Sequence, residues 1–228
     1  MPRILATREF ELALVSAHGP IIGMDEVGRG ALAGPVAVGA CAITGAEGAP
    51  PVGLADSKAL SPKRREALAP LAASWAAASA VGRASNAEID RYGIIAALRL
   101  AGMRALEAIE VEIGVPGLVL LDGSHDWLTP PEDLFAALEG PELPDVGVPE
   151  VVTRVRADAS CCVVAAASIL AKVSRDAEMR ALEDPGYDWA SNKGYASPAH
   201  VAGLAALGPS RLHRTSWSLP GVGRAAAR

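Results

Sequence analysis

Between Ser160 and Leu182 runs a segment whose first half, Cys161-Cys162-Val163-Val164-Ala165-Ala166-Ala167-Ser168-Ile169-Leu170-Ala171, is almost entirely small and apolar. A helix with no polar face to offer water has to be buried, and side chains this small suit direct contact with a sheet. The run is too short for the ~20 residues of a membrane span, as is the other long apolar stretch, Val36 to Ile43. No membrane association is expected.

The sheet that could cover such a helix is legible in short apolar or β-branched runs. Ile21 to Asp25, Pro35 to Ile43, Ala78 to Ala84, Gly117 to Asp122 and Glu150 to Arg156 read as strands. Helices alternate with them. Ser61-Pro62 opens one that runs to about Trp75 despite Pro70, Asn86 is expected to cap another, and Ile94 to Ile109 forms a longer one. Ser197-Pro198 opens a last helix, stopped by Gly208-Pro209. The Pro- and Gly-rich stretches Gly45 to Gly53 and Pro130 to Pro149 read as surface loops, the second with a helical turn at Leu134 to Leu138. Strands interleaved with helices imply an α/β fold with functional groups at strand ends. With 228 residues, half of them apolar, the chain can bury one full core and a small appendage.

Charge is divided unevenly. A net charge of -5 argues against indiscriminate coating of nucleic acid. Yet Trp189 to Arg228 contains no acid while carrying Lys193, Arg211, Arg214, Arg224 and Arg228, and Asp122 to Glu150 holds eight acids without one Lys or Arg. An acidic body with a basic tail suits a protein that meets a polyanion on one face and holds cations on another. Cys41, Cys161 and Cys162 are too few and too badly spaced for a disulfide framework or a zinc knuckle, which favours a reducing, cytoplasmic compartment. Cys161 and Cys162 read as packing groups, and so do Trp189 and Trp217.

The chemistry is carried by carboxylates. Asp25 and Glu26 end the first strand just ahead of the Gly28-Arg29-Gly30 turn, Asp122 ends another strand beside Gly123, and Asp158 precedes the long helix. Asp158 taken alone would serve as that helix's cap. Four acids gathered in one cleft would repel one another and call for a cation. Oxygen donors with no His or Cys among them select Mg²⁺ or Mn²⁺. Gly28-x-Gly30-x-x-Ala33 also fits a dinucleotide-binding turn, but Pro35 and a β-branched run follow where a helix should open, and the acids would repel pyrophosphate. The histidines are scattered, so spacing suggests no Ser/His/Asp triad.

Gly23-Met24-Asp25-Glu26-Val27-Gly28-Arg29-Gly30 followed by Ala33-Gly34-Pro35-Val36 resembles the signature of the ribonuclease HII family. Further blocks match in order: Asp56-Ser57-Lys58 with Leu60-Ser61; Leu121-Asp122-Gly123; Asp158 with Ala166 to Asp176; and Asn192-Lys193-Gly194-Tyr195 with His200, Gly208-Pro209-Ser210 and His213-Arg214. The resemblance implies a ribonuclease H-like mixed sheet flanked by helices, as a catalytic domain over residues 1–186, followed by a basic helical C-terminal extension over 187–228. It implies a monomeric endonuclease that hydrolyses the RNA strand of RNA/DNA hybrids and incises on the 5′ side of ribonucleotides embedded in duplex DNA. Asp25, Glu26, Asp122 and Asp158 would be the catalytic carboxylates holding two divalent cations, Mg²⁺ or Mn²⁺. Gly28, Arg29 and Gly30 would meet the 2′-hydroxyl and Tyr195 the neighbouring sugar, with Ser57, Lys58, Lys172, Lys193 and Arg214 contacting phosphates. The sibling ribonuclease HIII pattern brings a domain ahead of the first motif and is not expected. One departure stands out: Asp122 and Asp158 lie 36 positions apart, about twice the usual family spacing. The extra residues fall in the acidic Pro-rich stretch, read as a surface insertion, a change that adds little closure entropy.

Overall fold

A computed structural model describes residues 6–55, 57–131 and 140–222. The helical turn expected at Leu134 to Leu138, Asp56 and the terminal Arg224 to Arg228 lie outside the described residues.

Five strands form one mixed sheet: β1 (Ile21–Val27), β2 (Val36–Ile43), β3 (Ala78–Ala84), β4 (Leu118–Asp122) and β5 (Glu150–Arg154), in spatial order β3-β2-β1-β4-β5. β1 pairs antiparallel with β2, as β2 does with β3, whereas β4 is parallel to both β1 and β5. Helices α1 (Glu9–His18), α2 (Pro62–Trp75), α3 (Asn86–Ile113), α4 (Ala157–Ser160), α5 (Cys162–Ala181), α6 (Trp189–Asn192) and α7 (Pro198–Leu207), with a 3-10 turn at Ser57–Ala59, complete the described elements. The mixed sheet flanked by helices is the expected class of fold.

Side-chain alternation divides the sheet into two packed faces. Ile22, Met24, Val38, Ala40, Val119 and Leu121 pack against α3, while Ile21, Cys41, Ile43, Leu118 and Leu120 pack against α2 and the small-residue half of α5. Helix α5 approaches unusually closely because glycines lie beneath it. A Cβ on Gly39 would sit 2.1 Å from the Ala167 carbonyl oxygen, and one on Gly23 would sit 2.8 Å from the Val163 backbone. A third cluster, built from Leu32, Ala33, Met179, Tyr187, Trp189 and Leu204, joins the C-terminal segment to the end of α5 and to the chain after β1.

Several boundaries differ from those expected. Ser85, rather than Asn86, caps α3; its hydroxyl accepts the Glu88 N–H and the Glu88 carboxylate returns to the Ser85 N–H. The two helices expected there are continuous apart from a break at Gly93, whose φ is +81°. The long run from Ser160 is not one helix. Cys161 is extended, and it separates the short α4 from α5. Asp158 therefore sits in the first turn of α4, after a left-handed Arg156, and does not cap the long helix. The unforeseen α1 offers only a narrow apolar stripe of Phe10, Leu14 and Val15 to the core. All three cysteines are buried and unpaired, consistent with packing roles. Among the described residues no helix is long and apolar enough to cross a membrane.

Candidate active site

Strand register brings two carboxylates together. Met24 and Leu121 are the last pair of the parallel β1–β4 ladder, so the next residues along, Asp25 and Asp122, lie side by side where the two strands part, with Asp25 still paired to Gly39 of β2. β5 extends the same parallel edge, with Asp122 opposite Arg154, and the chain turns through Arg156 to deliver Asp158. The Asp158 N–H donates to Asp122 Oδ1 at 3.2 Å, which locks the start of α4 to the end of β4. This is the carboxyl edge of the parallel strands, where α/β sheets open to solvent.

Asp25 is only 6 % exposed. Burial pushes its carboxyl up to about 7; a hydrogen bond from the Ser168 hydroxyl opposes that rise, and the charges of Asp122, Glu26 and Asp158 add to it. The other three acids thus all lie within electrostatic reach of Asp25. Ser168 is supported by the Ser57 hydroxyl at 2.8 Å. Cations flank the group: Lys58 Nζ stands 3.9 Å from Asp158 Oδ2, and Arg29 Nη1 stands 3.4 Å from Glu26 Oε1. Asp126 is occupied elsewhere, accepting the N–H groups of Leu128 and Thr129 at 2.9 Å, so it is a turn residue.

The acids open onto two adjoining hollows. Asp25, Glu26, Gly28, Arg29, Gly30, Ser57, Lys58, Ser168, Lys172 and Tyr195 line a cleft of about 340 Å³. Asp122, Gly123, Arg156 and Asp158 line a second of about 470 Å³, and Lys58 borders both. Among the described residues, no three His, Cys, Asp or Glu side chains close into a cage for a single ion.

The glycine turn is held from behind. Gly28 has φ +83°, and its N–H donates to the Tyr195 hydroxyl at 2.9 Å. Arg214 is fully buried and donates to the carbonyls of Gly28 (2.7 Å), Arg29 (2.8 Å) and Gly34 (3.1 Å). Arg175, also buried, donates to the carbonyls of Pro35, Lys193 and Ala33. Because a trans peptide points its N–H opposite to its C=O, carbonyls turned inward at Gly28 and Arg29 turn the N–H groups of Arg29 and Gly30 outward. The expectation that Arg214 meets phosphate directly does not fit this placement, since its whole fork is spent on main-chain oxygens. Lys193 also stands away from the cleft, with its ammonium on the Ala190 and Ser191 carbonyls.

A family model described as ribonuclease HII matches residues 22–219. The chain belongs to the ribonuclease HII family. It is accordingly a ribonuclease H, a hydrolase with endonuclease activity. A ribonuclease HII of Streptomyces griseus is 46 % identical over 96 % of this chain and 86 % of its own length. Among solved structures, the ribonuclease HII of a PCNA complex from Archaeoglobus fulgidus is 26 % identical with a TM-score of 0.60, covering 85 % of this chain and 91 % of that one. Bst-RNase HIII in complex with Mn²⁺ shares the fold at 20 % identity and a TM-score of 0.58, covering 83 % and 61 %.

Two residues to which the motif alone gives no role support the site. Ser168 touches Asp25, and Arg175 fastens three carbonyls around the turn. Both lie in the block from Ala166 to Asp176, and the signal that could have found them is helical spacing. Ser168, Lys172 and Arg175 recur at intervals of four and three, the period of one helix face.

Proposed function

We propose that this ribonuclease HII family member incises duplexes at ribonucleotides, on the 5′ side, leaving 5′-phosphate and 3′-hydroxyl ends, and hydrolyses the RNA strand of RNA/DNA hybrids. The observation that carries the reading is a buried carboxylate, Asp25, crowded by three others in a cleft that the Gly28-Arg29-Gly30 turn also lines.

The donor set fits hard divalent cations. A carboxyl that burial and like charges hold near neutrality is relieved by positive charge, and an all-oxygen set with no His or Cys selects Mg²⁺ or Mn²⁺. Cations of this kind commonly take one or two carboxylates each and complete their shells with water and substrate phosphate, which suits acids shared between two hollows and not closed into one cage. Asp25, Glu26, Asp122 and Asp158 would hold two such ions, which supply an activated water and stabilisation of the departing 3′-oxygen. The chain's own residues do the rest. Ser168 fixes the Asp25 carboxyl, and Lys58 and Lys172 offer positive charge to the scissile strand. Arg29 and Gly30 would present N–H donors that a 2′-hydroxyl can meet, and the glycines on either side of Arg29 let a ribose come that close. Tyr195, brought in by the C-terminal segment, forms the far wall against the neighbouring sugar. In this reading residues 1–186 carry the chemistry and 187–228 shape substrate binding. A cytoplasmic setting, supported by the three unpaired cysteines, fits a role in ribonucleotide removal from DNA.

The test is cleavage of a duplex containing one ribonucleotide, with and without Mg²⁺ or Mn²⁺, with the cut position mapped. Incision 5′ to the ribonucleotide, abolished by chelator and by Asp122→Asn with binding largely retained, is expected. Turnover unaffected by chelator, or normal turnover by Asp122→Asn, would overturn the reading.

A further inference from the structure

Thirteen positions apart in the chain, His200 and His213 meet in the third core cluster with their Nε2 atoms 2.9 Å apart, both essentially without solvent exposure. Tyr187 and Trp189, stacked at 5.0 Å, wall the pair in. The hydrogen bonds around the two rings have only one consistent direction. His200 Nδ1 lies 2.9 Å from the Tyr195 carbonyl oxygen, which can only accept, so that nitrogen carries the proton. In a neutral ring His200 Nε2 is then bare, as the Trp189 indole N–H aimed at it from 3.5 Å also requires. At the other end the Ser210 backbone N–H, which can only donate, points at His213 Nδ1 from 2.9 Å. That nitrogen is bare, so His213 carries its proton on Nε2 and donates it to His200. The relay is thus Ser210 N–H to His213, His213 to His200, and His200 to the Tyr195 carbonyl. A second proton on either ring sets two donors face to face.

Both ends of this relay reach the candidate active site. Tyr195 places its hydroxyl on the Gly28 N–H. His213 pairs with Ala33 in a β-bridge immediately before Arg214, whose guanidinium holds the Gly28 and Arg29 carbonyls. We propose that His200 and His213 are positioning residues for recognition of the ribose. As a neutral pair with fixed and opposite tautomers, they set Tyr195 on one side of the glycine turn and the Arg214 clamp on the other. Neither touches substrate, so their removal loosens binding before it slows chemistry. The functional half of this inference rests on the ribonuclease reading of the cleft; the tautomer half does not.

Two measurements on the full chain test it. Two-bond ¹⁵N–¹H correlation at pH 7 should report His200 protonated on Nδ1 and His213 on Nε2, both neutral. His200 protonated on Nε2, or a charged ring in either residue, overturns the relay without reference to activity. In kinetics on a duplex with one ribonucleotide, His200→Leu should raise KM ~10-fold, the loss of one buried hydrogen bond of about 1.4 kcal/mol, with kcat nearly unchanged. His200→Asn should recover most of that loss, because its amide nitrogen can take the place of ring Nδ1 and donate to Tyr195. Equal KM in all three proteins, or equal loss in both variants, overturns the positioning role. A wild-type chain that cleaves no ribonucleotide-containing duplex would sink the ribonuclease reading, and with it the positioning role, leaving the tautomers to be judged by the spectra.

Discussion

Replacing Asp25 by Asn should make the ion-free protein more stable while removing its activity. The carboxyl shifts from an ordinary value of 3.8 to about 7 in the folded chain, chiefly by burial. At 1.36 kcal/mol per pKa unit, a shift of roughly three units means that keeping the group ionised costs the fold about 4 kcal/mol. The direction follows from proton counting. Between pH 4 and 7 the folded chain keeps a proton that the unfolded chain has released, so stability falls as pH rises through that window. Above pH 7 the full penalty is present; below pH 4 both states are protonated and it vanishes. Asn has nearly the same shape and never ionises. Asp25→Asn should therefore exceed the wild type by up to about 4 kcal/mol at pH 8 in chelator, on the order of 10 °C in Tm for a chain of this length, and match it near pH 4. Millimolar Mg²⁺ should then raise the wild type alone and close the gap, while cleavage by the variant stays undetectable. Thermal or urea unfolding at the two pH values reads the effect. A variant that is equally or less stable at pH 8, or stabilised to the same extent at both pH values, would refute the argument that desolvation dominates this carboxyl.

Gly39→Ala should destabilise by roughly 2–3 kcal/mol, because its Cβ would meet the Ala167 carbonyl at 2.1 Å and only movement of α5 relieves the clash; an unchanged Tm would contradict the close approach. Arg214→Lys keeps the charge and loses the fork that grips three carbonyls, so KM on ribonucleotide-containing duplex should rise several-fold and exceed any change in affinity for all-DNA duplex. His213, pushed down to about 4 by burial and by His200, stays neutral in the fold while its unfolded counterpart takes up a proton below pH 6.5. Its share of stability, about 3 kcal/mol, is complete above pH 6.5 and is lost as pH falls toward 4. His213→Gln should flatten that acid limb of the unfolding profile.

Much of the candidate site was legible because short motifs report local chemistry. Asp25 and Asp122 stand out as acids at the ends of apolar runs close to glycines, although β1 continues to Val27, and the small apolar run announces a helix pressed on a sheet. What stayed hidden depends on the third dimension. The parallel register that sets Met24 against Leu121 leaves no trace in either strand alone. The extended Cys161 that splits α4 from α5 lies where Ser, Cys and Val, all weak helix formers, begin a run that turns helix-favouring only at Ala165, and the partner that holds it extended, a bridge to Thr7, is remote in sequence. Arg214 looked like a phosphate contact because charge is read from sequence and burial is not; its carbonyl partners lie about 180 positions away. The His200–His213 contact was invisible for the same reason, since neither residue sits in a spacing that suggests a pair.

The glycines under α5 have a mechanical consequence. Where large side chains mediate contact between helix and sheet, their rotamers act as compliant spacers, and thermal jostling blurs the distance across them. Here main chain rests largely on main chain at Gly23 and Gly39, so the offset between Ser168 and Asp25 is set by van der Waals contact of the backbones. The spacing at the heart of the cleft should stay constant on warming until the sheet itself comes apart.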